Sequence, residues 1–138
     1  MKKILIVNAN YYDDITGKLV VSATKILKRK SFKIDKINVP GAFEIPIAIR
    51  KNIKRYDAFL ALGCVIKGKT PHFNLICNSI FYAISKISII YNKPVGNGII
   101  TALNFKQAKQ RCGDTKSNKG LEAANAVISI LKNATKKI

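Results

Sequence analysis

The residues Ala58 to Val65, AFLALGCV, form a continuous apolar run broken by a single glycine. A run of this length without polar alternation reads as a strand buried on both faces. Such a strand needs helices above and below it, and the rest of the chain supplies them. Lys3 to Val7 reads as another buried strand, ending in the turn-like NANYYDD. Leu19, Val20, Ala23, Ile26 and Leu27 recur at helical spacing, with Thr16 as a candidate cap. A strand follows to Val39 and is broken by Pro40-Gly41. Phe43 to the basic RKNIKR predicts a helix. Phe73, Ile76, Cys77, Ile80, Ile84, Ile87 and Tyr91 fit the 3.6-residue period, and Phe81, Ala83 and Ile90 widen the apolar face, as in a helix wedged between neighbours. Val95 to Thr101 predicts a fourth strand, interrupted by Gly96-Asn97-Gly98. NFKQAKQRCG predicts a short helix capped by Asn104 and stopped by Gly113. Leu121 to Leu131 marks a final amphipathic helix.

Strands alternating with helices imply βαβ units on a parallel sheet. The 138 residues, 48% of them hydrophobic, suffice for one domain spanning 1–138 with a proper core. Ile4 to Val7 is far shorter than the about 7–15 apolar residues of a secretory signal. No stretch approaches the about 18–20 apolar residues of a membrane helix. A soluble cytoplasmic protein is expected, with no membrane partner. Cys64, Cys77 and Cys112 form no CxxC pair or Cys/His cluster, so no metal site is expected and buried thiols are the simpler reading.

The chain carries 25 Lys and Arg against 7 Asp and Glu, a net charge of +18. Only Arg29, Arg50, Arg55 and Arg111 are arginines, and Ile and Asn are abundant, a pattern of compositional drift rather than of nucleic-acid binding. The densest group, KILKRK at 25–30, falls at a helix end, where cations complement the dipole. The field would still draw in a phosphorylated small molecule.

In open parallel sheets, ligands sit outside the carboxyl ends of the strands. That places any chemistry in NANYYDD, PGAFE, CVIKGKTPHF and GNGIITALN. The third of these holds His72, the one histidine of the chain. Gly68, Thr70 and Pro71 start a helix, where Pro suits the first turn, and the exposed amides of that turn, with Lys67 and Lys69, suit an anion. The Walker spacing is missing, so GKT alone is weak. His72, with an ordinary pKa of about 6.5, suits proton transfer near neutrality. The local sequence balances this evenly against a histidine hydrogen-bonded to backbone. Glu44 is either a ligand carboxylate or a capping acid. Tyr11 or Tyr12 is either a stacking surface or packing. Arg111 is either a phosphate fork or a surface cation.

Taken in order, VPGAFEIP, ALGCVIKGKTPHF, PVGNGIIT, QAKQR and NKG resemble the lumazine synthase family, from about Ile4 to Leu131. The resemblance implies a flavodoxin-like α/β three-layer sandwich with a four-stranded parallel sheet. It implies condensation of 5-amino-6-(D-ribitylamino)uracil with 3,4-dihydroxy-2-butanone 4-phosphate to 6,7-dimethyl-8-ribityllumazine, phosphate and water, the penultimate step of riboflavin biosynthesis. No metal or redox cofactor is implied. By motif, Tyr11 stacks on the pyrimidine; Ala42, Phe43 and Glu44 line the ribityl and pyrimidine site; Cys64, Val65 and Ile66 offer backbone contacts. Lys69, Thr70 and Arg111 hold the phosphate, His72 moves the proton, and Lys119 keeps a family position. Asn97 stands where a phenylalanine near the pyrimidine is common, and Lys67 where arginine is frequent. The resemblance further implies a homopentamer with sites between neighbouring chains, and leaves a decamer or a 60-subunit shell open. A riboflavin synthase of the archaeal type is the nearest alternative; a non-catalytic flavin or nucleic-acid binder is the other.

Overall fold

In this computed structural model, residues 1–69 and 71–138 are described. The apolar run is β3 (Ala58–Ile66), and Ala58 to Leu62 are fully buried. Its neighbours are β1 (Lys3–Ala9) and β4 (Val95–Ala102), and β2 (Lys33–Val39) lies outside β1. All three pairings are parallel, in the order β2-β1-β3-β4. The helices are α1 (Asp13–Arg29), α2 (Ile45–Lys51), α3 (His72–Tyr91), α4 (Phe105–Gln110) and α5 (Lys119–Leu131), and a 3-10 turn over Ala42–Glu44 leads into α2.

The strand order dictates the layers. The chain steps one way from β1 to β2 and the other way from β2 through β3 to β4, so right-handed crossovers put α1 on one face and α2 and α3 on the other. Strand side chains alternate accordingly. Ile4, Ile6, Leu60, Leu62 and Ile100 pack with Leu19, Leu27 and Val127 of α1 and α5. Leu5, Val7, Phe59, Ala61 and Ile99 pack with Ile45, Ile49, Ile80 and Ile84 of α2 and α3. The result is the flavodoxin-like three-layer α/β sandwich. Truncating one of these fully buried side chains, such as Leu60 to Ala, costs about 2–5 kcal/mol. The reversal of direction falls between β1 and β3, and sheets of this kind take their ligands outside the carboxyl ends of such strands.

Two expectations are corrected. Thr16 does not cap α1. The helix starts at Asp13, and the Ile15 and Thr16 amides donate to the Tyr12 carbonyl. Asp13 and Asp14 in the first turn complement the dipole instead, while Thr16 is buried one turn in. Nor is β4 interrupted at Gly96-Asn97-Gly98; it pairs with β3 continuously from Val95 to Ala102. The glycines make room for α5. A Cβ at Gly96 would lie 2.5 Å from the Ala123 carbonyl oxygen, and one at Gly98 would strike Leu62.

By length and composition α3 is apolar enough to cross a membrane, with mean hydropathy 1.4 over its most apolar window. Asn74, Asn78, Ser79 and Ser85 interrupt its apolar run. Only 17% of that window is buried in this chain. Cys77, Ile80 and Ile84 face the sheet, while Leu75, Tyr82, Ile89 and Ile90 stand exposed. Contiguous apolar surface of this kind marks an interaction face.

Candidate functional site

The region at the carboxyl ends of β1 and β3 is built by close packing. A Cβ at Gly63 would lie 3.3 Å from the Ala9 Cβ and 3.7 Å from the Ala42 Cβ, so glycine lets the 3-10 turn settle onto β3. Ala42 is buried there, Glu44 is half-buried and Phe43 is exposed. Glu44 makes no side-chain capping bond to α2, though it stands at the helix start where the dipole favours a carboxylate, and its carboxylate lies beside Gly41, 3.2 Å from where a Cβ would stand. The two tyrosines after β1 separate cleanly. Tyr12 packs on the core and sits edge-on to Phe105 at 6.3 Å, whereas Tyr11 is 75% exposed and meets the edge of Tyr12 at 4.9 Å. Tyr11 is therefore the ring free to stack.

On β3, the Cys64 side chain turns into the layer beneath α1 and α5, and Val65 faces the other layer. Burial, with a smaller contribution from the Cys112 thiol, pushes the Cys64 thiol up to about 11. It stays protonated at neutral pH and is no nucleophile; what Cys64, Val65 and Ile66 expose at the strand end is backbone. Past the strand, Lys69 is exposed and His72 is the first residue of α3, also exposed, with no side-chain cap at that helix start. Thr70 lies outside the described residues.

A second constellation lies along β4, the open edge of the sheet. The Asn104 side chain caps α4 by accepting from the Gln107 amide at 2.9 Å. Arg111 closes α4, and its Nη1 donates to the Thr101 carbonyl at 2.6 Å. The Lys119 amide donates to the Arg111 carbonyl at 2.8 Å. Asn118, nearly fully buried, caps α5 by accepting from the Gly120 and Leu121 amides and donates to the Gly113 carbonyl. These bonds fix Lys119 one turn from Glu122, which it meets at 3.2 Å. Asn97, Arg111 and Lys119 thereby line one groove of about 310 Å³, together with Phe81 and Glu122.

Phe81 and Glu122 were not among the sequence candidates. Glu122 had a readable signal, the three-residue spacing from Lys119 on one helix face. Phe81 looked like one more apolar residue of α3, and only its position over β4 distinguishes it.

The candidates are not gathered into one cavity. Phe43 and Glu44 line a groove of about 360 Å³ against Ser79, Ile80 and Ala83 of α3. Asn97, Arg111 and Lys119 lie on the other flank of the same helix, beside Phe81. One half offers an exposed ring, backbone groups, a carboxylate and an imidazole; the other offers two cations, an amide and a ring. The first suits a planar hydrogen-bonding heterocycle, and the second suits an anion.

The family model described as 6,7-dimethyl-8-ribityllumazine synthase matches residues 1–135. A 6,7-dimethyl-8-ribityllumazine synthase of Corynebacterium kroppenstedtii is 40% identical over 128 residues, covering 91% of this chain and 80% of the relative. Another from Corynebacterium urealyticum is 34% identical over the same length and shares. With a family model covering nearly the whole chain and relatives at this identity over most of their length, the chain belongs to the 6,7-dimethyl-8-ribityllumazine synthase family.

Proposed function

We propose that this chain condenses 5-amino-6-(D-ribitylamino)uracil with 3,4-dihydroxy-2-butanone 4-phosphate to give 6,7-dimethyl-8-ribityllumazine, using the two half-sites of two neighbouring copies. The observation that carries this reading is the packing of the PGAFE turn onto the GCVI end of β3, with His72 at the start of α3, in a chain of this family. The pyrimidine stacks on Tyr11 and bonds the strand-end backbone of Cys64, Val65 and Ile66. Ala42, Phe43 and Glu44 border its ribityl chain. Lys69 and Thr70, with Arg111 from the neighbour, hold the phosphate, and Lys119 adds charge beside it.

The chemistry asks for positioning and proton transfer. The 5-amino group of the pyrimidine attacks the ketone carbon, and a water leaves as the imine forms. His72 takes a proton from the butanone carbon skeleton, the C–O bond to phosphate breaks, and inorganic phosphate departs onto Arg111. The enol left behind takes a proton at its terminal carbon to become a ketone, and the ribitylamino nitrogen adds to that carbonyl and closes the ring as a second water leaves. His72 is the fitting carrier because its imidazole is exposed at the start of α3, three residues past Lys69.

Two observations support assembly from copies. The half-sites lie on opposite flanks of α3, and α3 presents an uncovered apolar face. We assign a homopentamer, built through head-to-tail contacts that close in a ring. All three cysteines are free, as suits the reducing cytoplasm to which the reaction is assigned.

The test is to mix the protein with both precursors and follow lumazine absorbance and phosphate release. Equal amounts of the two products are expected. Riboflavin formed from paired lumazines, with no phosphate released, would point to the archaeal-type synthase instead. Steeply salt-dependent oligonucleotide binding without turnover would point to a nucleic-acid binder. Particle mass in solution checks the assembly, with five chains of 15.3 kDa expected.

A further inference from the structure

The groove along β4 combines features that the phosphate role alone does not use. On this strand, Gly96 and Gly98 face α5, so the residue between them points to the α3 side. That residue is Asn97. It is exposed, and its Oδ1 accepts from the Ile99 amide at 3.1 Å. Folded back onto its own strand, it leaves the surface of β4 flat and without an aromatic ring. Phe81 stands beside it. One side of this ring packs on the core beneath α3, which fixes it in place. The other side lines the groove with Arg111 and Lys119 and also the smaller groove, about 220 Å³, on the far side of Asn97. Among the described lining residues of the cationic groove, Phe81 is the one aromatic.

The reaction demands that pyrimidine and butanone phosphate touch, since a bond forms between them. A groove that holds the phosphate through Arg111 therefore also borders the pyrimidine. We infer that Phe81 is the aromatic surface a chain lends to the pyrimidine in its neighbour's site, and that the small Asn97 leaves that ring uncovered. This rests on the function proposed above. The physical basis is that a planar heterocycle gains by stacking on a ring already immobilised by packing, which costs little further ordering. Phe81 is a binding and specificity residue, and moves no proton.

The experiment uses the whole protein and three variants, with particle mass and circular dichroism as controls for folding. Phe81→Leu keeps an apolar side chain on the core and removes the ring. It should raise KM for the pyrimidine about tenfold, the scale of one base–aromatic stack, with KM for the butanone phosphate and kcat within about twofold. Phe81→Tyr keeps the ring and should behave as the parent. Adding Asn97→Phe to Phe81→Leu puts a ring back from the strand and should recover most of the loss, which a purely structural role for Phe81 would not allow. An unchanged pyrimidine KM in Phe81→Leu, an equal rise for both substrates, or no recovery in the double variant overturns the inference. Fluorescence titration with 6,7-dimethyl-8-ribityllumazine separates it from the proposed reaction. If the parent makes no lumazine yet binds this probe about tenfold better than Phe81→Leu, the reaction falls and the ring's role stands. If the leucine variant binds it equally, or the parent does not bind it, the inference falls.

Discussion

The two half-sites differ in how they are built. The half at the ends of β1 and β3 is made mostly of shape: a glycine at 63 that admits Ala42, a strand end that bares backbone, and an exposed Tyr11. It has few hydrogen bonds to lose. The half along β4 is made of charge held in place by capping and backbone bonds, with Arg111 tied to Thr101 and Asn118 setting Lys119 beside Glu122. The difference teaches that the heterocycle contacts proposed above rest on the sheet, and the anion contacts proposed for Arg111 and Lys119 on loops pinned to its open edge.

The largest expected effect lies in the first half. His72→Ala should lower kcat by about 10²–10⁴-fold, the usual worth of a positioned general acid–base, with particle mass unchanged. A normal rate would take His72 out of the chemistry. Next is the second half: Arg111→Ala should raise KM for the butanone phosphate by about 10–100-fold, the worth of a charge-assisted hydrogen bond, while KM for the pyrimidine moves little. Equal shifts would end the division of labour between the halves.

The comparison is sharpest when the variants are mixed. Co-assembled at equal ratio and assayed below KM, His72→Ala and Arg111→Ala chains should regain about a quarter of parental activity, because a random ring leaves about one site in four with both halves intact. Activity no higher than the average of the two variants measured separately would mean that each chain completes its own site. The smallest effect concerns Cys64. Its raised pKa is that of a neutral group kept neutral by burial, so its contribution to stability is complete below the unfolded thiol value of about 8.5. That contribution is lost as pH rises toward about 11. Burial raises the Cys77 thiol as well, so a spectroscopic thiolate titration should show a thiol that titrates near 11, and Cys64→Ser should remove it. A Cys64 that ionises near 8.5 would contradict its place in the core.

Much of this was legible in the chain. The run Ala58 to Val65 announced a central strand because nothing in it tolerates water, and the Asn104 cap was readable because its bond is local, three residues on. Thr16 misled because a β-hydroxyl before an apolar series looks like a cap, whereas Tyr12, Asp13 and Asp14 began the helix a turn earlier. Gly96 and Gly98 misled because a glycine in a strand signals a break when read locally, yet here it signals the approach of α5. Phe81 was invisible as a site residue because helical periodicity reports which face is apolar, and says nothing of which strand that face overlooks.

By itself the sequence determined the α/β alternation, the loops where chemistry belongs, the family and the lone histidine, because periodicity, turn residues and motifs are local. Tertiary structure decided which tyrosine is free, that Cys64 turns its thiol inward, and that the two halves of the site lie on opposite flanks of α3. These depend on strand order and on the close approach of helices distant in the chain, which no short stretch of residues encodes.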